Sequence, residues 1–183
     1  VTDVQLTGQK SIAENESICL DLNGHTVTGK ENARIYSLHY EGITLSIFDY
    51  SEAKTGKLVG RGETCPQGVC VWVRFGTFNL YGGTLDGSGA TSNVNGVTVA
   101  VPKNAVMHMY GGTIIGGKTT YAISKTSGNA TNSMGGSINV AGTFEMYDGT
   151  IRDGYASCYY DQMKGSYFQG YGGNVLVMGG SFT

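Results

Sequence analysis

The chain writes one phrase several times. "GTFNLYGGTLDG" (76–87) returns as "GTFEMYDGTIRDG" (142–154), as "AVMHMYGGTIIGG" (105–117) and as "NVLVMGGSFT" (174–183). Repetition at a spacing of tens of residues constrains a fold more than composition does. One such unit cannot bury its apolar side alone, whereas stacked units bury a continuous core.

Aligned on the Gly-Gly-Thr corner, each unit opens on a first segment: "ICLDLNG" (18–24), "ITLSIFD" (43–49), "TFNLYGG" (77–83), "VMHMYGG" (106–112), "TFEMYDG" (143–149) and "NVLVMGG" (174–180). A second follows: "HTVTG", "GKLVG", "GTLDG", "GTIIG", "GTIRDG" and "GSFT". A third precedes the next unit: "RIYSLHY", "VCVWVRF", "GVTVAV", "YAISK" and "YASCYY". The segments alternate with period two and none shows helical spacing. Phe78 and Leu80 share one face, Asn79 and Tyr81 the other; Met107/Met109 and Phe144/Met146 repeat that phase. The pattern predicts an all-β, right-handed parallel β-helix, a solenoid of about six coils with three short strands per coil. An antiparallel β-sandwich would explain the alternation but not the shared corner. The whole of 1–183 reads as a single domain. Residues 1–17 ("DVQLT" within them) would start or cap the stack, and 174–183 would form a last, uncapped coil.

Thirty glycines lack a three-residue period, which excludes collagen. Charged residues are 14% and aromatic residues 10%, the reverse of a disordered chain. The net charge of -2 and the lack of a basic stripe argue against nucleic acid as a partner. No apolar run reaches the ~18 residues of a spanning helix, so no membrane insertion is expected. The sequence begins without Met and stops inside a repeat, and so reads as a mature chain or an excised piece. Its open C-terminal edge would then continue into further coils or be covered by another chain.

Cys65 and Cys70 bracket "CPQGVC" and are expected to close a local disulfide, which suits secretion. Cys19 and Cys158 lie in apolar segments and are expected as buried thiols. His25, His39 and His108 share no column, so neither a metal site nor a cofactor is expected. "GTLDGSGATSNVNG" (83–96) lacks the helix and Lys-Ser/Thr of a phosphate loop. "GYASCYYDQMKGSYFQGYGG" (154–173) breaks the rhythm and crowds aromatics into a specialised loop.

Stacking places equivalent residues about 4.8 Å apart. One outward column then reads Asp21, Ser46, Asn79, His108, Glu145, Leu176; the next reads Asn23, Phe48, Tyr81, Tyr110, Tyr147, Met178. Phe48, Asn79, Tyr81, His108, Tyr110, Glu145 and Tyr147 are the candidate ligand-binding residues. Ring faces would stack on a pyranose and the polar column would hydrogen-bond it. The same strip would also serve as a stabilising ladder or as a contact for another chain. The outer column of the second segment reads Thr28, Val59, Asp86, Ile115, Arg152, Thr183. A glycosidase needs paired carboxylates; Glu145, Asp148 and Asp153 with Arg152 form the one constellation with catalytic chemistry in reach.

"LDLNGHTVTG", "ITLSIFDYSEAKTGKLVG" and the units of the form F-x-M-Y-G-G-T-I-x-G resemble the pectate-lyase-like β-helix domains in large surface proteins of Gram-positive gut bacteria. The resemblance covers nearly the whole chain. It implies the fold and leaves activity open, since that superfold hosts lyases, glycosidases, tailspikes, adhesins and stalks. A lyase of that kind would carry an Arg or Lys base beside calcium-holding acids, and no such acid cluster is visible here. The expectation is a non-enzymatic, extracellular module for adhesion or carbohydrate binding within a larger bacterial surface protein. Its partner would be a glycan or host-surface ligand, with self-association through the ladder or the open end. A polysaccharide-degrading enzyme and a structural subunit of a stalk or filament are the alternatives.

Overall fold

The computed structural model describes residues 2–92, 96–120, 133–157, 159–161, 166–168 and 170–183. Strands of 2 to 9 residues are punctuated by glycine and polar corners, and in the three main sheets each returns parallel to its counterpart in the preceding coil. Three sheets result, each with six strands stacked in order along the axis. The chain is a right-handed parallel β-helix of about six coils.

The first sheet holds Ile18–Asp21, Thr44–Phe48, Gly76–Leu80, Ala105–Met109, Thr143–Met146 and Ser181–Phe182. The second holds Val4–Gln5, Thr26–Thr28, Lys57–Gly62, Thr84–Ser92, Thr113–Ile115 and Thr150–Arg152, with Lys118–Thr119 and Tyr155–Ala156 as side branches. The third holds Lys10–Ile12, Tyr36–Leu38, Val71–Val73, Val99–Val101, Ile138–Val140 and Val175–Val177. An antiparallel hairpin, Tyr159–Asp161 with Ser166–Phe168, branches from the late loop.

The inward residues form vertical files. In the first sheet Leu20, Ile47, Leu80, Met109 and Met146 are successive partners. Leu80 and Met109 are fully buried and Met146 packs against the same core. Beside them run Ile18, Leu45, Phe78, Met107, Phe144 and Phe182. The second sheet contributes Val27, Leu58, Leu85, Ile114 and Ile151. Each fully buried Leu, Ile, Phe or Met in these files contributes roughly 1.5–3 kcal/mol against its exposed state. At the corners backbones nearly touch: Gly112 has φ +84, and a Cβ there would lie 2.7 Å from the Gly83 carbonyl oxygen.

The structure moves several segments. Asp21 pairs with Phe48 and Cys19 pairs with Ser46, so the first coil sits two residues away from the expected phase and Asn23 leaves the ladder. As the turn residue that a short polar side chain before Asn-Gly suggests, Asp21 accepts the N–H groups of Asn23 and Tyr50. In the last unit Val175–Val177 joins the third sheet and Ser181–Phe182 the first. Leu176 therefore pairs with Asn139, outside the polar column, and Met178 donates its N–H to Val140 beyond the ladder. Thr183 continues the first sheet, bonded to Phe144 and Met146, and leaves the Arg152 column. The third-sheet strands after the two long insertions are Ile138–Val140 and Val175–Val177. Tyr155–Ala156 pairs with Lys118–Thr119, and "YAISK" lies outside the described residues. Residues 1–17 supply two strands, Val4–Gln5 and Lys10–Ile12, one in each of two sheets.

The expected disulfide is replaced by two buried thiols. Cys65 Sγ donates to the Gly62 carbonyl at 3.3 Å, while Cys70 Sγ lies 3.6 Å from the Leu58 carbonyl. The two sulfurs are held by separate backbone acceptors, which the loop spacing does not reveal. Cys19 is exposed rather than buried, because it faces outward on the first sheet; Cys158 lies outside the described residues.

Candidate functional site

The outward residues of the first sheet form two adjacent columns. The polar one is a continuous hydrogen-bonded chain. Asn79 Nδ2 donates to Ser46 Oγ at 3.3 Å. His108 Nδ1 lies 3.0 Å from Asn79 Oδ1, and its Nε2 lies 3.2 Å from Glu145 Oε2. Tyr147 donates its hydroxyl to the same Glu145 oxygen at 2.8 Å. That bond holds the proton on the phenol, and the neighbouring carboxylate charge adds to it, so the Tyr147 pKa is raised above the usual tyrosine value.

The aromatic column is a ladder. Phe48 and Tyr81 lie 4.6 Å apart at 1°, Tyr81 and Tyr110 4.7 Å at 10°, and Tyr110 and Tyr147 5.0 Å at 3°. Tyr50 adds a fifth ring, 5.3 Å from Phe48 at 20°. The geometry changes what the strip offers. Tyr81 and Tyr110 each have a ring against both faces, so they present edges and hydroxyls to water rather than flat faces. A pyranose cannot stack on them without parting the ladder.

Where the first sheet turns into the second, a groove of about 520 Å³ runs beside the ladder. Phe48, Tyr50 and Tyr81 form its aromatic side, Gly82, Gly83 and Gly112 its open backbone corner, and Lys54, Thr84 and Thr113 add polar groups. Lys54 has φ +51 and donates its ammonium to the Asp49 carbonyl at 2.8 Å. Asp49 also borders the groove and is only 4% exposed. Burial pushes its pKa up, but this is outweighed by hydrogen bonds from Ser51 Oγ and from the N–H groups of Gly56, Gly24 and Ser51. The net effect holds the carboxyl below its ordinary value.

Of the expected binding residues, Phe48 and Tyr81 line this groove. Asn79, His108, Tyr110, Glu145 and Tyr147 continue the two columns along the axis, outside its lining. Tyr50, Lys54 and the paired glycines were missed. Tyr50 follows Phe48 by two places and so shares its face by simple alternation. The glycine pairs signal corners in the sequence, and their free N–H groups show only in the structure.

The catalytic constellation does not converge on a cavity. Arg152 pairs with its neighbour Asp153. Asp148 accepts the N–H of Gly149 at 2.7 Å, and Glu145 is engaged by His108 and Tyr147. None of these lines the corner groove or the recess at Glu31 and Arg61. A second recess of about 320 Å³ carries Glu31, Arg61 and Glu63, with both carboxylates open to water. Both face solvent rather than an enclosed reaction site. Among the described residues no three His, Cys, Asp or Glu side chains gather as metal ligands. No family model, no curated protein and no solved structure matches the chain.

Proposed function

We propose that this β-helix is a non-enzymatic carbohydrate-binding module, displayed extracellularly as part of a larger bacterial surface protein. The observation that carries the reading is the corner groove. It sets the ring edges of Phe48 and Tyr81 and the terminal ring of Tyr50 beside bare glycine backbone and hydroxyls, where the first sheet turns into the second. Saccharide sites combine apolar ring contacts with a few fixed polar groups. The stacked ladder holds Phe48 and Tyr81 in place, so little ordering cost remains for binding. The resemblance to pectate-lyase-like surface domains supports the extracellular setting, and the engaged or solvated carboxylates favour binding over hydrolysis.

A glycan-array screen of the folded chain, followed by calorimetry, tests this. Binding that is lost in Tyr81→Ala, with the β-sheet circular dichroism retained, supports it. Release of reducing ends or unsaturated products from any polysaccharide, abolished by Glu145→Gln or Asp153→Asn, would overturn it in favour of an enzyme.

A further inference from the structure

Four consecutive coils place one residue immediately after the ladder aromatic: Asp49 after Phe48, Gly82 after Tyr81, Gly111 after Tyr110 and Asp148 after Tyr147. The two aspartates satisfy corner N–H groups. Asp49 takes Gly24, Ser51 and Gly56; Asp148 takes Gly149. The two central coils have glycine in that place and no carboxylate. The N–H groups of Gly82, Gly83, Gly111 and Gly112 make no hydrogen bond to a described residue. Gly82, Gly83 and Gly112 line the groove, and the Lys54 ammonium stands at the same groove.

Consecutive backbone N–H groups at a turn, as at Gly82-Gly83 with Gly83 at φ +83, form anion-binding concavities. The outer coils fill the equivalent place with an aspartate of their own. The negative charge of Asp49 does not fill the central corners, because its oxygens are engaged by Gly24, Ser51 and Gly56. Lys54 spends one N–H on the Asp49 carbonyl and has others to give.

We infer that the groove takes a saccharide bearing an oxyanion, carboxylate or sulfate. The anionic oxygens sit on the Gly82, Gly83 and Gly112 N–H groups with Lys54 as counter-charge. This rests on the saccharide reading of the groove and adds the charge of its ligand. The free sugar hydroxyls then meet Thr84 and Thr113.

The test follows the glycine amides by nuclear magnetic resonance in the ¹⁵N-labelled chain. The probes are sodium sulfate, sodium acetate, and matched neutral, carboxylated and sulfated oligosaccharides. The expected result is saturable shifts of Gly82, Gly83 and Gly112 with a carboxylated or a sulfated oligosaccharide, the two arms telling which oxyanion is preferred. Lys54→Met should weaken that binding by about tenfold, the loss of one charge-assisted contact. Gly82→Asn inserts a side-chain acceptor where the preceding coil has Asp49, and should block the seat. Its Cβ would meet the Asp49 backbone N at 3.3 Å, a tight contact, so Lys54→Met serves as the variant that leaves the corner backbone alone. Equal binding of neutral and charged oligosaccharides, unchanged by Lys54→Met, overturns the oxyanion seat and leaves the saccharide site standing. Shifts with sulfate or acetate but with no oligosaccharide keep the seat and overturn the saccharide site. No shift with any probe overturns both.

Discussion

The rings of Phe48 and Tyr81 lie 4.6 Å apart and within 1° of parallel, although 33 residues separate them in the alignment of the first sheet. Their backbones are register neighbours in stacked coils, so the stack is dictated by the coil pitch rather than by side-chain choice alone. Tyr110 sits in its middle with rings on both sides. Tyr110→Ala removes two stacks, each contributing about 0.5–1.5 kcal/mol beyond burial. Urea unfolding should show a loss of about 1–3 kcal/mol, with Tyr110→Phe costing much less. Equal stability of Tyr110→Ala and the parent would mean that the ladder contributes nothing to the fold.

Asp49 ties its own corner to that of the preceding coil through Gly56 and Gly24. Asp49→Ala leaves the buried Gly56 N–H and the half-buried Gly24 and Ser51 donors unmet and should destabilise the chain by about 2–4 kcal/mol at neutral pH. The carboxyl pKa is lowered in the folded state. Its contribution is therefore complete above the unfolded value of about 4 and disappears as pH falls through the lower folded value. Stability measured from pH 6 down to pH 2 should fall more steeply in the parent than in Asp49→Asn. Parallel curves would contradict the role given to this carboxylate.

Tyr147 donates to Glu145, which keeps its phenol protonated to higher pH than an ordinary tyrosine. Its hydrogen-bond contribution is present below the unfolded tyrosine value and is lost as pH rises through the folded one. Ultraviolet titration near 295 nm, with Tyr147→Phe identifying the signal, should show the late-ionising phenol. In Glu145→Gln the midpoint should drop. An unmoved midpoint would place Tyr147 away from Glu145 in solution.

Burial raises the pKa of both Cys65 and Cys70 above the ordinary thiol value. A thiol that stays protonated and enclosed is a poor nucleophile. With Cys158 replaced by Ser, a disulfide-exchange reagent should modify the exposed Cys19 in the native chain, and Cys65 and Cys70 only on unfolding. A non-reducing peptide map with a Cys65–Cys70 link would reverse the assignment.

The site was less legible than the fold. The ladder residues Phe48, Tyr81, Tyr110 and Tyr147 could be read as one column, because each lies two places beyond an outward polar residue. Their ring orientation could not, since alternation says which face a side chain takes and not how its plane turns. Lys54 reaches the groove through a local left-handed backbone turn, which has no period to read. The aspartate–glycine–glycine–aspartate order along the corner was present in the sequence. Its meaning needed the hydrogen bonds that the two aspartates make.

The period-two pattern and the recurring corner determined that the chain would be a parallel coil with Leu80, Met109 and Met146 in one internal file. Those signals are local, and every coil repeats them. The tertiary structure decided which sheet a segment joins wherever an insertion interrupts the count, as at Ile138–Val140 and Val175–Val177. A loop of any length can be absorbed between strands at little entropic cost, so spacing stops reporting position there. The two-residue shift at Asp21 was settled the same way, by pairing with Phe48 in the next coil, while the fate of Cys65 and Cys70 turned on the carbonyls that each thiol meets.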